Sequence, residues 1–121
     1  MTAATIRIGG ASGFWGDAAL ATPQLLGDRG LDFLVYDYLA EITMSIMARA
    51  RAADPGRGYA TDFVSAAMAP HLAEIAAQGV RVIANAGGVN PRACADALRE
   101  QLRARDLDLR VAVVLGDDLT L

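Results

Sequence analysis

Val80-Arg-Val-Ile-Ala84 runs without a break into Asn85-Ala-Gly-Gly-Val-Asn-Pro91, and this junction decides how the 121-residue chain is read. A short β-branched run reads as a strand. The glycines end it, Asn90 is suited to cap a helix, and Pro91 falls where a first helical residue is favoured. The same order of signals occurs at the start of the chain. There Thr5 to Ile8 reads as a strand entered from a leader, Met1 to Ala4. It is followed by Gly9-Gly-Ala-Ser-Gly-Phe-Trp-Gly-Asp17 and an alanine- and leucine-rich stretch. Glycines at a strand-to-helix junction let main-chain N–H groups approach a ligand, and a helix N-terminus favours negative charge there. A tight turn with no ligand asks for the same residues.

Working outward, Leu31 to Tyr38 is the second predicted strand, with Phe33-Leu-Val-Tyr36 suited to burial on both faces. Between the first two strands, Asp17 to Leu26 reads as a helix that Pro23 breaks or delays. Leu39 to about Ala53 is helical by its spacing of Leu39, Ile42 and Ile46, and Asp54-Pro-Gly56 stops it. Asp62 is placed to cap a further helix from Phe63. Pro70 kinks that helix or restarts it, and it reaches Gly79. After Pro91 the spacing of Ala95, Leu98 and Leu102 gives an inner stripe, with Arg92, Arg99, Glu100 and Arg103 outside. Leu109 to Leu115 is the fourth predicted strand, ending in Gly116-Asp-Asp118.

Strands alternating with helices predict an α/β domain, a mostly parallel, Rossmann-like sheet of about four strands flanked by helices. Ligands of such sheets bind beyond the carboxyl ends of the strands. Both glycine turns, Asp37 with Glu41, and Asp117 with Asp118 belong to that edge in this reading.

Composition removes several functions. The net charge is −3, and the eleven basic residues are scattered, so nucleic acid is not the expected partner. All eleven are arginine, which excludes a Schiff-base lysine and the lysine of a P-loop. The glycines at 9, 10, 13 and 16 do not spell the dinucleotide fingerprint, and Asp32 precedes its strand instead of ending it. The single cysteine, Cys94, forms no internal disulfide and reads as a small buried residue on a helix. No targeting leader or membrane-spanning run is recognised, so no membrane partner is expected and the default compartment is the cytoplasm.

The candidate site residues each carry a second reading. Gly10, Ser12, Gly13 and Trp15 in the first turn, and Gly87, Gly88 and Asn90 in the second, are ligand-binding candidates or turn formers. Ser12 has no histidine beside it in sequence. Phe14 and Trp15 pack or stack on a flat ligand group. His71 sits at a helix boundary away from the site edge. Asp37, Glu41, Asp117 and Asp118 are candidates for a hard cation such as Mg²⁺ or for proton transfer, while Glu41 and Asp118 equally suit helix caps. Asn85, at the end of a buried strand, must be hydrogen-bonded to its own turn or to a ligand. The residues name no cofactor.

Four motifs in order, Ile8-Gly-Gly-Ala-Ser-Gly-Phe-Trp-Gly-Asp17, Leu34-Val-Tyr-Asp-Tyr-Leu-Ala-Glu41, Gly58-Tyr-Ala-Thr-Asp62 and Asn85-Ala-Gly-Gly-Val-Asn-Pro91, resemble the N-terminal part of the acyclic terpene utilisation protein A family. Members of that family are longer, so the resemblance implies a single α/β unit that is the first portion of a larger domain. It also implies a place in breakdown of citronellol- and geraniol-type terpenes through acyl-CoA thioesters. The expected ligand is a branched acyl-CoA or related acid, handled in a lyase- or hydratase-like step by Asp37, Glu41 and Asn85. The competing expectation is a non-catalytic module that self-associates, or joins a partner chain, through an unfinished sheet. Exposure of Met44, Met47 and Met68 would favour it.

Overall fold

Residues 3–119 are described by a computed structural model, in which three parallel strands carry the fold. Met1 and Thr2 of the expected leader lie outside the described residues. Strand β1 (Ile8–Ser12) pairs with β2 (Phe33–Tyr36), and β2 pairs with β3 (Arg81–Ala84). The rows run Ile8, Phe33, Arg81 and then Gly10, Val35, Ile83, with a register break between Gly10 and Ser12. Helix α1 (Ala18–Leu26) joins the first two strands. Helix α2 (Glu41–Ala53), a π-helical turn (Phe63–Met68), a 3₁₀ turn (Ala69–His71) and α3 (Leu72–Gln78) lead to β3, and α4 (Pro91–Ala104) follows.

The alternation along each strand sorts the sheet into two unlike faces. Gly9, Ala11, Leu34 and Tyr36 are buried beneath the helical layer, where α1 packs on β1 and on the π-helical turn that α4 also touches. Tyr36 and Tyr38 stack at 6.4 Å, and Phe63 meets both edge-on at 5.2 and 5.7 Å. Thr22, fully buried, bonds the Tyr36 hydroxyl at 2.9 Å and donates to the Ala18 carbonyl at 2.8 Å, so its polar atom is satisfied. Among the described residues no helix covers the opposite face. Ile8 and Ile83 are 62% and 56% exposed there, and the Arg81 guanidinium lies 5.8 Å from the Phe33 ring centre.

The α/β class stands, with corrections of detail. The first strand starts later than expected and runs through Gly9 and Gly10, which are ladder residues and not part of the turn. Helix α1 is continuous across Pro23, which sits late in a nine-residue helix and so forfeits only one bond. Helix α2 begins at Glu41, not Leu39, and Thr43 Oγ1 caps it by accepting from Ala40 N–H at 2.6 Å. Pro70 occupies the 3₁₀ turn between the π-helical segment and α3.

The fourth strand is absent from the sheet. Residues 107–114 alternate half-buried and exposed, as a strand would, but Leu107, Leu109 and Val111 pack on the core beside α4. Arg99 of α4 donates to the Val111 carbonyl at 3.1 Å, so that group is bound to the helix and not to β3. One edge of β3 therefore stays unpaired among the described residues.

Candidate functional site

At the carboxyl end of the sheet, β2 and β3 are tied together by side chains. Asn85 Nδ2 donates to Asp37 Oδ1 at 2.7 Å, and Asn85 Oδ1 accepts the Tyr38 main-chain N–H at 2.7 Å. The Leu39 N–H adds a long contact of 3.4 Å to the same Asp37 oxygen, and among the described residues no group is bonded to Oδ2. Asp37 and Asn85 share the wall of a hollow of about 380 Å³ with Val35, Tyr36, Ile83 and Ala84, at the end of the bare face. Asn85 is exposed, not buried as expected, because β3 is an edge strand. Ser12 Oγ shares its one proton between the Asp37 carbonyl at 2.9 Å and the Phe14 carbonyl at 3.2 Å, which holds the first loop against β2.

That loop folds down on the helical side. Trp15 packs against the core and its Nε1 donates to Asp62 Oδ1 at 2.5 Å, while Phe14 is 65% exposed. Asp62 thus anchors the loop and makes no side-chain cap for the segment that follows it. Gly13 N–H donates to Asp17 Oδ2 at 2.8 Å, so this donor is used within the loop. Beneath lie two buried atoms with no protein partner among the described residues, Asp17 Oδ1 and the Tyr38 hydroxyl. Burial foremost, then the charges of Asp62, Tyr36 and Asp17, raise the Tyr38 pKa, so this phenol stays protonated. Gly10 lies outside the loop, on the bare face, with open space where a Cβ would sit.

The second turn is closed by its own packing. Gly88 has φ +53°, and a Cβ there would collide with the Met47 sulfur and the Gly58 carbonyl; one on Gly87 would strike Pro91. The N–H groups of Gly88, Val89 and Asn90 are bonded to the carbonyls of Asn85, Gly58 and Gly87. Asn90 caps α4 as expected, accepting from Ala93 N–H at 3.4 Å, and its Nδ2 donates to the Pro55 and Arg57 carbonyls, both at 2.8 Å. A groove of about 860 Å³ opens beside the turn, between α2 and the start of α4. Arg51, Arg92, Asp117 and Asp118 are among the residues that line it. Arg51 donates to the Val89 carbonyl at 2.6 Å and pairs with Asp118 at 3.3 Å.

The expected gathering of carboxylates does not occur. Asp117 lines the groove at α2 and α4, and Asp37 lines the hollow on the bare face, because the segment before Asp117 never enters the sheet. Glu41 stands exposed in the first turn of α2, where a negative charge complements the helix dipole. Among the described residues no three carboxylate, imidazole or thiol groups converge as metal ligands. Cys94 is buried, and burial pushes its thiol up to about 11, which suits the packing reading. His71 lies at the end of the 3₁₀ turn, between two helical segments.

Four residues gain a place that sequence reasoning did not give them. Asp17, Tyr38 and Asp62 surround the space under the first loop, and Arg51 reaches the second turn. Arg51 and Val89 are 38 residues apart, and Trp15 and Asp62 are 47 apart, so no local pattern encodes either contact. A weak signal existed for Asp62: an acidic residue within a motif that also contains Tyr59.

The family model described as acyclic terpene utilisation family protein AtuA matches residues 6–121, nearly the whole chain, and the chain belongs to that family. Comparison with curated proteins and with solved structures gives no match. No helix among the described residues is long and apolar enough to cross a membrane.

Proposed function

We propose that this AtuA family chain, whose family name places it in acyclic terpene utilisation, binds a branched acyl-CoA or the corresponding acid and moves a proton next to its carbonyl, as in a lyase or hydratase step. The observation that supports the reading is the Asp37–Asn85 couple. A carboxylate that transfers a proton needs a fixed position and a free oxygen. Asn85 holds Asp37 Oδ1 at 2.7 Å and is itself held by Tyr38 N–H, Asp37 lines the hollow, and its Oδ2 has no hydrogen-bond partner among the described residues. Glu41 stands at the head of the helix that follows Asp37, within the same stretch of chain, as a second acid.

Arg92 supplies positive charge at the groove beside the second turn, next to the N-terminus of a 14-residue helix, and the two fit the anionic portion of a CoA ester; Arg51 lines the same groove with its charge paired to Asp118. Residues Asn85 to Asn90 connect this groove to the Asp37 hollow, since Gly88 N–H is bonded to the Asn85 carbonyl at 3.1 Å.

The test is exchange of the proton beside the carbonyl of a 3-methyl-branched acyl-CoA into deuterated water, followed by mass spectrometry, with binding measured by calorimetry. Asp37→Asn should abolish exchange and keep binding, and Arg92→Ala should weaken binding. Exchange that persists in Asp37→Asn and Asn85→Ala, or a folded chain that binds neither thioester nor acid, would overturn the reading.

A further inference from the structure

The loop that follows β1 is fastened by a few side chains. Among the described residues, Phe14, Trp15 and Gly16 make no main-chain to main-chain hydrogen bond to another element. What holds the loop down is the Trp15 indole N–H, which donates to Asp62 Oδ1 at 2.5 Å, with the Ser12 hydroxyl at the Phe14 carbonyl. Glycines stand at both ends. Gly16 has φ +122°, and at Gly13 and Gly16 the nearest heavy atom to an added Cβ is 3.8 and 4.0 Å away, so both positions are uncrowded. Such positions can absorb the dihedral change of a hinge.

Closure carries a cost. Tyr38 is 1% exposed, and its hydroxyl is cut off from solvent without a protein partner among the described residues. Asp17 Oδ1 is in the same condition, although the other oxygen of that carboxylate accepts from Gly13 N–H at 2.8 Å. A polar group buried in this way gives up its hydration and receives no bond in exchange. Tyr36, stacked on Tyr38, shows the contrast, since its hydroxyl is bonded to Thr22 at 2.9 Å. The latch acceptor, Asp62, directly precedes the π-helical turn, a rare geometry that recurs at functional positions.

We propose that residues 13–16 form a lid with two states, one in which Trp15 is latched to Asp62 and one in which the lid lifts and water reaches the Tyr38 hydroxyl and Asp17. The latch bond favours the first state, and the two stranded oxygens favour the second. The terms are of similar size, so the balance is close enough to be shifted. Lifting uncovers Asp17, Tyr38 and Asp62 beyond the carboxyl ends of β1 and β2, the edge at which sheets of this kind take their ligands. The lid stands on the helical side of the sheet, and its argument is independent of the Asp37 hollow and of the proton-transfer reading.

The chain has one tryptophan, so the latch has its own signal. In NMR spectra the exchange of the single indole N–H with deuterated water reports the opening. Asp62→Ala should speed that exchange by ~10-fold or more, and Asp62→Asn, which keeps an acceptor, by less. Tyr38→Phe removes a stranded hydroxyl and should slow the exchange by ~5-fold, the reverse of what damage to packing would do. Tyr36→Phe should leave it unchanged, because that hydroxyl is already bonded to Thr22. Circular dichroism establishes that each variant is folded. Exchange in Tyr38→Phe that is as fast as in the parent chain, or faster, overturns the proposal, since the hydroxyl would then not press the lid open. Equal acceleration by Tyr36→Phe and Asp62→Ala also overturns it, since the loop would then open only when the whole chain unfolds.

Discussion

The Asn85 side chain spans two strands: it donates to Asp37 Oδ1 and accepts from Tyr38 N–H, both at 2.7 Å. A single amide thus sets the position of a carboxylate at the end of β2 from the end of β3. Asn85→Ala removes both bonds in an exposed setting, and should cost about 1–2 kcal/mol in urea unfolding. Asn85→Asp should cost at least as much, because it replaces the donor facing Asp37 with a second negative charge. A neutral effect of both changes in the unfolding midpoint would mean that the couple does not order the strand ends.

Tyr36 and Tyr38 stack together yet differ in what their hydroxyls meet. Tyr36 is bonded to Thr22 at 2.9 Å, whereas the Tyr38 hydroxyl is buried with no protein partner among the described residues. Tyr36→Phe should therefore lose about 1 kcal/mol, and Tyr38→Phe should lose nothing or gain stability. Thermal unfolding of the two variants side by side checks this. Equal losses would show that the Tyr38 hydroxyl has a bonded occupant such as a water molecule under the Trp15 loop.

Three glycines should respond to the same substitution in different ways. Gly88→Ala meets both a left-handed backbone and the Met47 sulfur, and should destabilise by roughly 2–4 kcal/mol. Gly79→Ala meets the backbone strain alone, since φ is +66° with open space, and should cost about 1 kcal/mol. Gly10→Ala meets neither and should be neutral or slightly stabilising in chemical denaturation.

Burial raises the Cys94 thiol from 9.0 to about 11. The folded state thus favours the protonated form, so this stabilisation is complete below the unfolded value and is lost as pH rises toward 11. Unfolding free energy should fall over that window, and Cys94→Ala should flatten part of the fall. A thiol reagent at pH 8 should leave Cys94 unmodified until denaturant is added.

What the sequence reveals follows from the range of the interactions involved. The strand at Phe33–Tyr36 and the Asn90–Pro91 helix start are legible because both are set by neighbours in the chain, as the Asn90 cap on Ala93 demonstrates. Leu109 to Leu115 misleads because a two-residue period describes any extended segment with one packed face, whether it joins a ladder or lies beside a helix. That displacement propagates: with β3 left at an edge, Asn85 becomes exposed, and Asp117 reaches the α2 groove instead of the sheet end. Pro23 misleads in the other direction, since a late proline costs a short helix little. Met44, Met47 and Met68 raised the prospect of an exposed patch, but Met47 and Met68 are buried, and the exposed large apolar side chains are others, among them Ile8, Phe14, Leu20, Ile42 and Ile83.

The segment 107–114 has a consequence in time as well as space. Its side chains are anchored, but no ladder ties its main chain, so it can detach without breaking the β1–β2–β3 pairing. Its amide hydrogens belong to the low end of the opening free energies, and those of Leu34 to Tyr36 to the high end. The chain is thereby graded from a slow interior to a fast margin, and the Arg99 bond to Val111 is one of the fastenings of that margin.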